Sequence, residues 1–269
     1  MTGTGALQVA EWWWLYCLVG LLGLAIGSFL NVVIWRVPRG ESLFHPPSAC
    51  PQCAHPIRKR DNIPVVSWVL LRGKCRDCRA PISVRYPLIE ALTAVLFIAL
   101  LWRFGLGFEF LAFAYLAALA LALTCIDLDV RRLPNVLVLP AYVVLAVLFV
   151  AQSVVSGDWW PLARALIGGA AMFAFYLIAA IVYPGGMGFG DVKLAGVIGM
   201  ALGWLGWGAL IVGSFAAFLV GGVVGGLLML ARKADRRSAI PFGPWMVAGG
   251  VIGMVWGAAI WNAYTGTWA

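Results

Sequence analysis

Charge is what this sequence has least of. Only 11% of its 269 residues are Asp, Glu, Lys or Arg, and only 2 are His, against roughly 25% charged in an average soluble domain. Apolar residues make up 63% of the chain, and mean hydropathy is +0.94. A soluble globule has no interior large enough for that much apolar surface, so a soluble enzyme with one buried core is excluded and an integral membrane protein is expected. Disordered, collagen-like and secreted disulfide-rich classes fall on the same composition. Runs that alternate apolar and polar residues are also missing. That argues against a barrel and for helices, because backbone groups in lipid must be bonded internally.

What is present is a series of long apolar runs. A hydrocarbon core of ~30 Å needs about 20 helical residues. Spans are expected near 14–35, 87–102, 110–126, 134–154, 162–183, 192–204, 209–231 and 245–264, with only a short uncharged turn in the 199–208 stretch to separate the sixth from the seventh. Trp12, Trp13, Trp14, Trp102, Trp159, Trp160, Trp261 and Trp268 stand at span ends, where amphipathic rings favour the interface. Gly221, Gly222, Gly225 and Gly226 have the small-xxx-small spacing of packed helices. The expected fold class is therefore all-α, a polytopic membrane protein with about eight transmembrane helices.

The 19 Lys and Arg outnumber the 11 Asp and Glu, for a net charge of +8. Ten of the basic residues lie in 36–85, and Arg131, Arg132, Lys193, Arg232, Lys233, Arg236 and Arg237 fall on the same side if the spans alternate. Only Arg103 and Arg164 fall on the other. The positive-inside rule then puts the 37–86 loop in the cytoplasm and both termini outside. The first span is too long for a cleavable signal and no small-residue cleavage site follows it, so it reads as retained. The basic excess records orientation, and no nucleic-acid partner is expected.

Four of the 6 cysteines form two pairs, Cys50-Pro-Gln-Cys53 and Cys75-Arg-Asp-Cys78, around a 21-residue insert at 54–74. Two such knuckles bring four thiolates into a tetrahedron, which is what a closed structural Zn2+ site requires. Redox use or unliganded thiols are the alternatives. A loop this short has little core of its own, so a metal staple orders it. A small cytoplasmic zinc-binding loop domain completes the expected architecture. Cys17 and Cys125 lie in apolar runs and read as packing residues.

Charges at the edges of spans are costly and mark functional sites. Asp127 and Asp129 stand where the third span leaves the membrane, and Gly188-Phe-Gly190-Asp191-Val-Lys193 opens the sixth. Asp127 and Asp191 thus share a depth on different helices. Two carboxyls that share a proton can activate a water and protonate a leaving nitrogen. The bland readings are solvated interfacial acids and a helix cap at Asp191. Glycines before Asp191 permit close backbone approach, as a peptide lying on the site would need. Asp127 ends a helix and Asp191 begins one, so the dipoles favour the anion at Asp191 and the proton at Asp127. Glu90 follows Pro87 at a helix start and reads as structural or as part of a site. Asn31 reads as an interhelical hydrogen-bond partner.

These residues together resemble the bacterial type IV prepilin leader peptidases, membrane aspartic proteases of the GxGD class. Gly27-Ser-Phe-Leu-Asn31-Val-Val-Ile-Trp-Arg36-Val-Pro38 looks like the family's opening segment, and His45-Pro-Pro-Ser48, the two knuckles and Arg85-Tyr-Pro-Leu-Ile-Glu90 look like its cytoplasmic domain. The resemblance implies that Asp127 and Asp191 are the catalytic pair, with Gly188, Gly190, Lys193 and Glu90 supporting the site and Cys50, Cys53, Cys75 and Cys78 as metal ligands. It implies cleavage of the basic leader of prepilins or pseudopilins at the cytoplasmic face of the bacterial inner membrane. It further implies N-methylation of the new terminus from S-adenosylmethionine. The implied domains are a first span at 1–36, a methyltransferase-associated four-cysteine domain at 37–86, and a multi-span protease domain at 87–269, with membrane lipid around them. A proton-coupled transporter using Asp127, Asp191 and Glu90 as a relay is the rival reading. A non-enzymatic assembly protein of a secretion machine is the other.

Overall fold

A computed structural model of the protein describes residues 12–182, 187–231 and 241–266. The basic run Arg232, Lys233, Arg236 and Arg237, together with Tyr183 and Trp268, lies outside the described residues. Helices account for every regular element among the described residues: α1 (Trp13–Arg36), α2 (Val66–Leu70), α3 (Arg85–Phe104), α4 (Phe108–Val130), α5 (Asn135–Ser156), α6 (Trp160–Val182), α7 (Phe189–Leu205), α8 (Trp207–Leu230) and α9 (Gly243–Thr265). Short 3-10 turns occupy Val37–Arg39 and Lys59–Asp61. The chain divides into two compact units, Met1–Ala122 and Leu123–Ala269.

The sequence punctuates these helices where backbone chemistry requires it. α1 stops at Pro38 and a left-handed Gly40, α3 at Gly105, α5 at Gly157 and α9 at Gly266, all four glycines with φ between 68° and 74°. Pro87 and Pro244 sit in the first turns of α3 and α9, where a missing N–H costs nothing. Among the described residues seven helices of at least 18 residues are long and apolar enough to cross a membrane. The remaining expected span, 192–204, falls on α7, the shortest of the long helices. At 17 residues α7 is about 25 Å long at 1.5 Å per residue, short of the ~30 Å hydrocarbon core. The protein is a multi-pass membrane protein.

In the first unit α1 packs on α3. A methyl on Gly23 or Gly27 would lie 2.6 Å from the Cα of Ala94 or Glu90, so these glycines bring the two backbones into contact. Asn31 bridges the pair, donating to the carbonyls of Gly27 at 3.3 Å and Tyr86 at 3.2 Å. In the second unit α7 is the buried helix. Gly199 approaches the Gly168 carbonyl of α6, and Gly203 approaches that of Arg164, each to 2.5 Å from a built Cβ. α8 and α9 meet through Gly213, Gly249, Gly253 and Gly257 in the same way. The glycines singled out from spacing are different ones. Gly221 packs against Phe242 and Trp245, but Gly222 and Gly226 have no described atom within 4 Å of a built Cβ. Small-residue spacing marks a smooth helix face, not which helix covers it.

Candidate active site

Asp127 lies in the last turn of α4 and is only 5% exposed. Its Oδ2 accepts the backbone N–H of Gly243 at 3.1 Å. Gly243 is the first residue of α9, so the carboxylate sits at a helix N-terminus, where free N–H groups and the dipole favour an anion. A methyl on Gly243 would stand 2.7 Å from that same oxygen. Only glycine lets the α9 backbone come this close. Asp129, two residues on, is exposed, as expected for neighbours that face different sides of a helix.

Asp191 occupies the third position of α7 and is 9% exposed. Its Oδ2 accepts the N–H of Gly188, the residue that caps the helix, at 3.0 Å. A short acid at this position reaching back to the cap N–H is half of a capping box. Capping and burial therefore coexist in one side chain. The two carboxylates lie within each other's electrostatic field. Each has one backbone donor at a helix start. Asp127, though it ends its own helix, gains the positive end of α9, so the dipole contrast expected from the sequence is offset.

Other residues complete the surroundings. A methyl on Gly190 would meet Leu133 Cβ at 2.9 Å, so the close approach that glycine permits there is made by the chain itself. Gly188 is 3.4 Å by the same measure from Asp191 Oδ2. The Lys193 ammonium donates to Asn135 Oδ1 at 2.8 Å and lies 4.7 Å from the Phe189 ring centroid. The Tyr142 hydroxyl donates to the Lys193 carbonyl at 2.6 Å and fills the space opened by Gly196. Gly243 and Tyr142 were not singled out from the sequence. The one available signal for Gly243 was the Pro241-Phe242-Gly243-Pro244 run, a helix start 116 residues from Asp127.

Glu90 lies in the first unit, 8% exposed on α3. Its Oε2 accepts the Val65 N–H at 2.7 Å. Val65 has a φ of +61°, a conformation that is an outlier for a β-branched side chain. The carboxylate thus pins a strained turn of the loop onto a membrane helix.

The four knuckle cysteines meet. Their sulfurs all lie within 4.8 Å of one another, with Cys50 and Cys78 3.8 Å apart. The knuckles are copies. In each, the residue after the second cysteine has a left-handed backbone, Ala54 at +58° and Arg79 at +62°. In each, the first cysteine's N–H bonds a carbonyl beyond the second, His55 at 3.0 Å and Ala80 at 2.8 Å. Short bridges Ala49–Pro56 and Lys74–Pro81 close the two loops. Between them Arg76 holds Asp61 bidentately at 2.8 and 2.6 Å, and Arg58 holds Asp77 at 2.9 Å. Backbone N–H groups of Cys53 and Gln52 bring the Cys50 thiol down to about 7. The His55 backbone donor lowers Cys53, but desolvation and the sulfurs of Cys78, Cys50 and Cys75 together push it up to about 12. Sulfurs this crowded resist full ionisation until a cation sits among them. The cluster fits a metal ion.

A polytopic helical membrane protein with two buried carboxyl groups and a four-cysteine cluster is the class these elements define. The first part of the chain, residues 21–104, matches the bacterial peptidase A24 N-terminal domain, and residues 112–228 match the type IV leader peptidase family. The chain is 39% identical over 281 positions to the prepilin leader peptidase/N-methyltransferase of Aeromonas hydrophila, covering 93% of this chain and 94% of that protein. It is 37% identical over 275 positions to the protein of that name from Neisseria gonorrhoeae, with 91% and 92% covered. The Pseudomonas aeruginosa protein of the same name is 36% identical over 272 positions, with 91% of each covered. No solved structure matches the chain. The chain belongs to the type IV leader peptidase family.

Proposed function

We propose that this protein removes the leader from type IV prepilins, using Asp127 and Asp191 as paired catalytic carboxyls, and methylates the amine it exposes. The cleavage and methylation activities follow from the family and from the name its relatives carry over nearly their whole length. The observation that supports the residue assignment is the burial of both carboxylates, 5% and 9% exposed, within each other's field and with one backbone donor each. Like charges in one dry site share a proton. The ionised carboxyl takes a proton from water as it attacks the scissile carbonyl. The protonated one then gives its proton to the departing nitrogen. Gly243 and Gly188 hold the two carboxyls in place throughout. Lys193 and Asn135 brace the start of α7, and Glu90 fixes the loop to α3.

The 37–86 loop is assigned to the methyl-transfer half, 1–36 to the first span and 87–269 to the protease. S-adenosylmethionine is the methyl-donating substrate: its methyl passes to the new amine, which loses a proton. Zinc is the metal we assign to the four thiolates. A tetrahedron with Zn–S bonds of ~2.3 Å has edges of ~3.8 Å, and the Cys50–Cys78 separation is 3.8 Å. A closed four-thiolate zinc has no open position, so it shapes the loop and supplies no chemistry. Positive-inside charge supports a cytoplasmic loop and site with both termini periplasmic. Pseudopilins, which share the basic leader and apolar helix, are substrates on the same chemistry. Their helix lies in lipid against the spans, and no nucleic acid takes part.

The test is incubation of purified protein with a prepilin peptide, with and without S-adenosylmethionine, and mass spectrometry of the products. Asp127→Asn and Asp191→Asn are each expected to lower cleavage by about 10²- to 10⁴-fold, the worth of general acid–base catalysis. Full cleavage by either variant refutes the pair.

A further inference from the structure

Tyr176 of α6 is the largest fully buried side chain among the described residues, with no solvent exposure. Its hydroxyl has no hydrogen-bond partner among the described residues. A buried phenol usually finds one, and an orphan calls for a reason. The hydroxyl lies within electrostatic reach of Asp191. The ring is fixed by other aromatics. Its centroid is 5.3 Å from that of Phe218 on α8 and 6.1 Å from that of Phe242, and those two are 5.3 Å apart. Phe242 directly precedes Gly243, whose N–H holds Asp127. One side chain therefore presents an unused donor near one carboxylate and packs against the segment that anchors the other.

We infer that Tyr176 is a positioning residue of the peptidase, whose hydroxyl donates to the Asp191 carboxylate in the working complex. The inference rests on the assignment of Asp127 and Asp191 as the catalytic pair. Catalytic hydrogen bonds are often long in a resting enzyme and tighten when substrate binds. The donor is pre-placed by packing, so little order is lost when the bond forms. No covalent step involves the tyrosine. It orients the carboxylate and stabilises its charge while the water proton is being transferred. Ser153 of α5 is a second fully buried hydroxyl without a partner among the described residues, whereas Thr93 of α3, equally buried, is satisfied. It spends its donor on the Ile89 carbonyl of its own helix at 2.7 Å.

Tyr176→Phe tests this, because it removes the hydroxyl and keeps the ring against Phe218 and Phe242. With a prepilin peptide, kcat for cleavage is expected to fall about tenfold to a hundredfold, the range for a hydrogen bond to a charged group. KM is expected to stay within about twofold, because the hydroxyl does not touch bound peptide and ground-state binding is unchanged. Methylation of an already cleaved peptide, and the thermal midpoint in detergent, are expected to match the parent protein. Unchanged kcat overturns the inference. So does a loss of cleavage matched by equal loss of methylation and of thermal stability, which a merely structural tyrosine would give. Asp191→Asn is measured alongside. If Asp191→Asn is inactive while Tyr176→Phe is fully active, this inference alone fails. If Asp191→Asn still cleaves, the carboxylate pair itself fails.

Discussion

Gly243→Ala adds one methyl at the start of α9, and its effect can be worked out from the geometry of a single carboxylate. Gly243 has an ordinary helical backbone, so propensity alone makes the change favourable by up to ~1 kcal/mol. The new Cβ would lie 2.7 Å from Asp127 Oδ2, and the two next nearest atoms, at 3.4 and 3.6 Å, also belong to Asp127. Relief requires a shift of about 0.7 Å to reach ordinary contact, and what must yield is the carboxylate or the N–H bond that holds it. A hydrogen bond to a charged group is worth ~1.5–3 kcal/mol, which corresponds to about 10- to 150-fold in rate. A misplacement near 1 Å costs about 10²-fold by the independent route of orientation. Leader cleavage by Gly243→Ala is therefore expected to fall ~10- to 100-fold, with unchanged methylation of a pre-cleaved peptide. Gly222→Ala on α8 is the control, because its Cβ meets no described atom within 4 Å, and it should leave cleavage at the parent rate. The assay is a time course of peptide cleavage read by mass spectrometry. A Gly243→Ala protein that cleaves as fast as Gly222→Ala refutes the reasoning.

Two further outcomes concern the loop. Cys75→Ser opens the four-thiolate cluster, so metal content should drop from about one equivalent per chain, the loop should become protease-sensitive, and methylation should be lost before cleavage is; metal analysis and limited proteolysis check this. The Arg76 hydrogen bonds hold the Asp61 carboxyl below the usual carboxylate range. Its stabilising contribution is thus complete above the unfolded value of ~3.9 and is lost as pH falls through the lower folded value. The stability difference between parent and Arg76→Gln should persist at neutral pH and vanish in strong acid, as followed by Trp68 fluorescence.

Much of this site was legible because charge and thiols stand out in an apolar chain. Asp127 and Asp191 are conspicuous for their surroundings, and two Cys-x-x-Cys pairs admit few arrangements. Gly243 and Tyr176 had no such contrast. A glycine among 32 glycines, or a tyrosine inside a run that is apolar anyway, carries no local mark of its partner. What gives each its importance is a contact made across 116 residues in one case and a field in the other. The burial of α7 was hidden for a related reason: hydropathy reports that a segment is surrounded by apolar matter, and it does not say that protein supplies it. Glycines before Asp191 were expected to admit a substrate peptide, and the neighbour described at Gly190 is Leu133 of the chain itself, which no reading of the Gly-Phe-Gly-Asp run could supply.

The buried helix α7 has a mechanical consequence. Gly196 receives the Tyr142 hydroxyl, Gly199 the Gly168 carbonyl and Gly203 the Arg164 carbonyl, while the Arg164 guanidinium grips the Trp204 carbonyl at 2.9 Å. These notches are spaced along the axis like the teeth of a rack, and they resist sliding far more than they resist rotation of a side chain. Asp191 rides at one end of that rack, about 18 Å from Gly203 by helical rise. The height of the carboxylate is thereby fixed from the opposite end of the helix, and a disturbance near Arg164 would be felt at the site as a change of depth.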